Sequence, residues 1–180
     1  MRQQLLRLGC PPERVRVNHL GVDLERLAFR ERAGSSVPHF LVCAVFREKK
    51  GIPYALEALA RIRDGGRRFR LTLIGDGPER GRIERLLGEL DLWRWTQLRG
   101  LQPYSAVRRA LQECDILLQP SVTAANGDTE GGAPVILLDA QACGVPVVAS
   151  THADIPEYVQ DGRSGLLAPE RDVPALADRI

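Results

Sequence analysis

The feature that most limits what this chain can fold into is a series of short apolar runs, rich in β-branched residues, with helical patterns between them. HFLVCAVF (39–46), FRLTLIG (69–75), WTQLRG (95–100), CDILLQPS (114–121), VPVVAS (145–150) and SGLLAP (164–169) each have strand length. They lack strict apolar–polar alternation, the pattern expected of strands buried on both faces of a parallel sheet. Between them, GIPYALEALARIRDGG sets Ile52, Ala55, Leu56, Leu59 and Ile62 on one helical stripe, with Gly65 and Gly66 as its stop. GPERGRIERLLGEL repeats the pattern with Ile83, Leu86, Leu87 and Leu90, and with Pro78 at the first helical position. Further helices are predicted over 103–112, 134–143, 153–160 and 172–180. This alternation predicts an α/β fold: a doubly wound, Rossmann-like parallel sheet.

A chain of 180 residues supports one compact domain. Residues 1–36 read as a helix, a proline turn and a short strand ahead of the regular alternation. They are expected to be a linker from an upstream region, with 37–180 as the domain proper, and VPALADRI stops mid-helix without a cap. Lys and Arg number 25 against 23 Asp and Glu, so the net charge of +2 gives no support for a nucleic-acid partner. Cys10, Cys43, Cys114 and Cys143 show no CxxC or Cys/His spacing, which predicts reduced thiols and no metal site. No apolar stretch reaches the ~18–20 residues of a membrane span and the start lacks a signal-peptide core, so the expected location is the cytoplasm. Trp93 and Trp95 are expected in the core.

In a doubly wound sheet, ligands bind beyond the carboxyl ends of the strands. That rule selects Phe46–Gly51, Gly75–Pro78, Gly100–Tyr104, Ser121–Pro134 and Ser150–Asp154. In REKKGI, Arg47, Lys49 and Lys50 stand just before a helix, where cations and helix amides together suit a phosphate; a basic surface loop is the plainer reading. In LIGDGPE, Gly75 and Gly77 let either a ligand or a tight turn approach the backbone, and the turn is favoured. The spacing is not GxGxxG and GxxxxGK[ST] is absent from the sequence, which argues against hydride-transfer cofactors and P-loop nucleotides. The strongest signal is DTEGGAPVILLDAQA. Gly131, Gly132 and Ala133 would offer amides near a helix start at Pro134, with Glu130 as an acceptor beside them. Asp139, inside VILLDAQA, is either a solvated charge or an acceptor for ligand hydroxyls.

EGGAPVILLDAQACGVPVVAS resembles the EGxPxxxxEAxAxGxPVVAS region of retaining GT-B glycosyltransferases, the large family 4 of nucleotide-sugar-dependent enzymes. AVFREKKGIPYALEAL, LTLIGDGPE, VNHLGVD and DGRSGLLAP match further segments of that family, so the likeness covers nearly the whole chain. The resemblance implies the C-terminal, donor-binding half of a GT-B fold. The intact enzyme would move a sugar, with retained anomeric configuration, from a UDP-, GDP- or ADP-sugar to a saccharide or lipid-linked acceptor held by an N-terminal domain. No metal or other cofactor is implied, and the intact enzyme would associate peripherally with a membrane. By the same resemblance Lys50 and Arg47 would meet the donor diphosphate, Glu130 the sugar hydroxyls, and Gly75 and Gly131 to Pro134 the phosphate side. Asp139 would meet the ribose, and the loop Arg99 to Leu101 the base.

Three departures from the family pattern stand out. Val45 occupies the place of a usual Arg, and Arg47 two positions on reaches the same side only if the strand continues that far. Eight residues separate Glu130 from Asp139 where the family has seven, which puts one extra residue in the Gly131–Ala133 loop. Asp139 is also one methylene shorter than the family's Glu. A non-catalytic nucleotide-binding or interaction module of the same fold therefore remains a second reading.

Overall fold

The computed structural model describes residues 2–180. Six parallel strands form one sheet: β1 (His39–Cys43), β2 (Arg70–Ile74), β3 (Thr96–Leu98), β4 (Ile116–Gln119), β5 (Val147–Ser150) and β6 (Gly165–Ala168). Their order is β3-β2-β1-β4-β5-β6. The sequence order therefore reverses between β1 and β4, which are paired through Phe40 with Ile116 and Leu41 with Leu117. This is the switch point of a doubly wound sheet, where the exit loops of two neighbouring strands part and leave a crevice.

Helices cover both faces. Alternate residues of the inner strands feed two cores, as the two-residue strand period requires. Phe40, Val42, Leu71, Leu73, Leu118 and Val148 pack with α2 (Ile52–Asp64), α3 (Arg80–Glu89) and α7 (Val173–Arg179). Leu41, Ile74, Leu117, Val147 and Ala149 pack with α4 (Tyr104–Glu113), α5 (Val135–Ala142) and α6 (Ile155–Tyr158). Every strand run expected from the sequence forms a strand, but the strands are shorter than the runs. β1 stops at Cys43, although the amides of Ala44 and Phe46 still donate to the carbonyls of Ile74 and Asp76 beyond it, before the Arg47 amide turns back to the Val45 carbonyl.

Several local expectations are corrected. Pro78 lies in a turn two residues ahead of α3, whose cap is Glu79. Pro134 is the extended cap of α5 (φ −60, ψ 130) rather than its first residue. The helix expected over 153–160 contracts to Ile155–Tyr158. The short strand expected before residue 36 does not form: after α1 (Arg2–Arg7) and a 3-10 turn at Pro12–Arg14, Val17 and Leu20 lie exposed. This segment is nonetheless fastened to the domain. The Arg32 guanidinium donates to the carbonyls of Leu111, Gln112, Cys114 and Cys143, capping the C-terminal ends of α4 and α5 with one cation. Trp93 is 45% exposed, against the expectation of core burial, whereas Trp95 stacks on Phe69 with centroids 5.4 Å apart.

Candidate donor-binding site at the sheet switch point

The exit loops of β1 and β4 meet at the crevice, and the meeting is built from close backbone contact. Gly51 adopts φ +60, and a Cβ there would stand 1.8 Å from the carbonyl oxygen of Pro120. Just before it, the 3-10 turn Glu48–Lys50 applies three consecutive side chains to the β4–α5 loop. Glu48 Oε1 accepts the Ala125 amide at 2.9 Å. Lys49 donates to Asp128 Oδ1 at 3.0 Å and to the Thr129 carbonyl at 2.8 Å. Lys50 donates to Glu130 Oε2 at 2.7 Å.

Glu130 is the centre of this arrangement. Its side chain is 5% exposed and its partner Lys50 only 16%. The other oxygen, Oε1, accepts from Ser121 Oγ at 2.6 Å, and Ser121 Oγ in turn accepts from Gln119 Nε2 at 2.8 Å. The Glu130 amide donates to Nε2 of His152 at 3.1 Å. That bond makes Nε2 an acceptor, so the imidazole proton resides on Nδ1, which lies 2.6 Å from Glu170 Oε1. Glu170 Oε2 also accepts the Thr123 amide at 2.8 Å. Burial pulls the Glu170 carboxyl upward, but the Thr123 amide and His152 together hold it below the usual carboxylate range. Three strand-exit loops thus fix one carboxylate from both its side chain and its backbone.

Beyond Glu130 the chain turns into α5. Gly131 has φ +70, and its amide is taken up by Thr129 Oγ1 at 3.2 Å. Gly131 is therefore not the free donor expected of it, and Pro134 has no N–H to give. The amides of Gly132, Ala133, Val135 and Ile136 have no acceptor among the described residues. They make a cradle of free donors at a helix start, with the positive end of the α5 dipole behind it. Asp154 comes near this cradle, its Oδ2 lying 3.9 Å from where a Cβ on Gly132 would be.

Arg47 lies outside this cluster. β1 has ended, Phe46 is fully buried, and Val45 and Arg47 are exposed on either side of it. The continued strand that would have carried Arg47 inward does not exist. Its charge instead helps Lys49 to hold the Asp128 carboxyl below its ordinary value; the Lys49 hydrogen bond is the largest cause. Gly75 has φ +141, and its hypothetical Cβ would sit 1.8 Å from the Ala44 carbonyl oxygen, so its role is to let two exit loops touch. Leu101 projects from the β3–α4 loop, 74% exposed. Asp139 is no solvated charge: it is 4% exposed and Oδ2 accepts the Tyr104 hydroxyl at 3.1 Å. Burial pushes its carboxyl above the usual range, and the Tyr104 hydrogen bond pulls the other way.

Sequence reasoning missed Ser121, Tyr104, His152, Glu170 and the clasping role of Lys49. Ser121, Tyr104 and His152 lie in the strand-exit segments named above; Glu170 follows β6, outside them. Among the described residues, no group of three or more His, Cys, Asp and Glu side chains is arranged to hold a metal ion. A cavity of about 740 Å³ opens at the amino ends of the strands between Phe40, Phe69, Arg67 and Ile180, on the opposite edge of the sheet.

The profile of the family described as glycosyl transferases group 1 matches residues 37–180. The chain belongs to this family. It is 39% identical over 175 residues to the amylovoran biosynthesis glycosyltransferase AmsK of Erwinia amylovora, covering 97% of this chain and 43% of that protein. It is 38% identical over 178 residues to WcaL of Salmonella typhimurium, named for colanic acid biosynthesis, covering 98% of this chain and 44% of that protein. The chain thus spans less than half the length of these curated relatives. The fold matches that of Anabaena Alr3699/HepE, solved in complex with UDP, with a TM-score of 0.80 and 21% identity over 98% of this chain and 50% of that one. The group 1 domain is thus a six-stranded, Rossmann-like half of the GT-B architecture. No helix among the described residues is long and apolar enough to cross a membrane.

Proposed function

We propose that this group 1 domain binds the nucleoside diphosphate sugar donor of a retaining glycosyltransferase engaged in polysaccharide assembly. The observation that carries this reading is the juxtaposition of the Lys50–Glu130 pair with the unoccupied amides of Gly132, Ala133, Val135 and Ile136 at the switch point of the sheet. A pyrophosphate has the charge and the acceptors for those amides, and Lys50 supplies the compensating cation. Glu130 accepts hydrogen bonds from the sugar hydroxyls, and Asp139 with its surroundings takes the ribose. The UDP in the structurally similar HepE supports a nucleoside diphosphate as the ligand.

In the transfer step the bond from the anomeric carbon to the diphosphate oxygen breaks and a bond to an acceptor hydroxyl oxygen forms on the same face. The acceptor proton passes to the departing phosphate. Negative charge grows on the diphosphate, and Lys50 and the α5 amides stabilise it where it develops. The acceptor is a saccharide or lipid-linked saccharide bound by a partner domain, in an enzyme that works in the cytoplasm at the membrane surface. A non-catalytic binding module is favoured by one observation: β1 ends at Cys43, leaving exposed Val45 and Arg47 where a leaving-group cation is needed.

Calorimetric titration of the folded chain with UDP, GDP and ADP tests the donor site. One of them is expected to bind, and Lys50→Ala to weaken that binding by about tenfold or more, the scale of one charge-assisted hydrogen bond. No heat with any of the three defeats the reading. Transfer assays on the enzyme restored with its upstream domain separate the catalytic from the non-catalytic form, since turnover is expected only of the former.

A further inference from the structure

Asp139, the residue read as the ribose acceptor, is poorly placed to act alone. It is 4% exposed and one methylene shorter than the glutamate found in the resembling family, so little of its carboxylate is open to a ligand. Tyr104, the first residue of α4, is 49% exposed, and its hydroxyl stands 3.1 Å from Asp139 Oδ2 on the carboxyl edge of the sheet. The direction of that hydrogen bond is fixed by chemistry. Burial and the neighbouring Asp139 raise the phenol pKa, so the hydroxyl keeps its single proton and gives it to the carboxylate. Its oxygen keeps acceptor capacity, on a residue that is half exposed. The ring is held in turn, because the Arg108 guanidinium lies over it at 5.6 Å and is itself anchored on the Arg26 carbonyl at 2.9 Å.

We propose that Tyr104 is a ribose-contacting specificity residue: its hydroxyl, oriented by Asp139, accepts a hydrogen bond from the vicinal hydroxyls of the donor nucleotide and supplies the reach that the shorter acid lacks. The inference rests on the donor-site reading given above and adds to it a residue and a chemical selectivity, for ribose over sugars without the diol. The acid and the phenol act as one unit, the acid setting the rotor and the phenol meeting the ligand. A ribose diol is a pair of donors, and a phenol oxygen with acceptor capacity backed by a carboxylate is its complement.

The test is calorimetric titration of the chain with UDP, GDP and ADP and with the 2′,3′-dideoxy form of each. The ribonucleotide that binds is expected to do so about fivefold to tenfold more tightly than its dideoxy counterpart, the net worth of one hydrogen bond. Tyr104→Phe, which keeps the ring beneath Arg108, is expected to bring the two affinities to within about twofold of each other. Adding Asp139→Glu to Tyr104→Phe is expected to restore the preference, because the longer acid reaches the diol itself. Equal weakening of both ligands in Tyr104→Phe overturns the proposal, as does a preference that survives the substitution. Loss of a cooperative thermal transition in Tyr104→Phe assigns the hydroxyl to stability and also overturns it. If the unsubstituted chain binds one of the ribonucleotides without regard to the diol, this inference fails and the donor site stands. If it binds none of them, the donor site fails and the inference with it.

Discussion

Lys50 and Glu130 form a pair whose isolation from water decides its energetics. With side chains 16% and 5% exposed and Nζ 2.7 Å from Oε2, the pair lies where taking away one partner leaves a charge stranded in a poor solvent. Ser121 Oγ, at 2.6 Å from the other oxygen, softens that loss without cancelling it. Lys50→Ala is therefore expected to cost about 3 kcal/mol of folding stability, at the lower edge of the range for broken buried pairs because Lys50 keeps some solvent contact. Replacing both partners, Lys50→Met with Glu130→Gln, is expected to recover most of it. Urea denaturation of the two variants checks this, and equal losses would show that the lysine acts through packing and not through charge. Because Lys50 is already paired with Glu130, the diphosphate proposed as its ligand would have to compete with a carboxylate for the same ammonium. Lys50→Ala should consequently be read for stability and for nucleotide affinity in the same preparation.

At the scale of elements, the crevice depends on loops that touch without side chains between them. Gly75, at φ +141 with a hypothetical Cβ 1.8 Å from the Ala44 carbonyl oxygen, abuts backbone that cannot turn aside, and Gly77 meets Phe46 in the same way at 2.5 Å. Gly75→Ala is expected to destabilise the domain by more than about 4 kcal/mol, among the largest single-residue effects, through backbone clash and strain combined. A cooperative thermal transition close to that of the parent chain would contradict this. The glycines of LIGDGPE were visible in the sequence as places of close approach, but whether ligand or chain approaches them depends on where the β1 exit runs. The six strands were legible because double burial writes itself as unbroken apolar runs, while their ends were not, since the apolar run continues through Phe46 although the backbone turns there, the Arg47 amide bonding back to the Val45 carbonyl. Glu130 and Lys50 were legible from their positions at strand exits. His152 and Glu170 were not, because the bonds they make join three separate exit loops and leave no local period or motif to read.

Across the whole molecule, the two ends of the sheet carry different chemistry. At the carboxyl edge acids and lysines are matched; at the amino edge His39 begins β1 and is 7% exposed, with Nε2 2.8 Å from Thr72 Oγ1 and Nδ1 3.3 Å from the Glu113 carbonyl. A carbonyl can only accept, so Nδ1 carries a proton, and in the neutral ring that burial favours Nε2 accepts from the threonine hydroxyl. Burial is the main cause that lowers its pKa from the ordinary 6.5; the Glu113 hydrogen bond and Asp115 oppose it, while the charges of Arg70 and Arg99 reinforce it. The sign of the consequence follows from proton counting. Below pH 6.5 the unfolded chain binds a proton at His39 that the folded chain refuses, so this residue's contribution is complete above 6.5 and is lost as the pH falls toward the depressed folded value. The slope from one such group cannot exceed about 1.4 kcal/mol per pH unit. Asp139 works in the opposite sense, since its raised carboxyl pKa makes acid favour the folded form, while Asp76, Asp128 and Glu170, all lowered, lose their contributions only at more acid pH. Urea unfolding of the parent chain and of His39→Gln at pH 7.5 and 5.5 therefore isolates the histidine. The parent is expected to lose more stability between the two than the variant does, and equal losses would remove His39 as the acid-sensitive point of the amino edge.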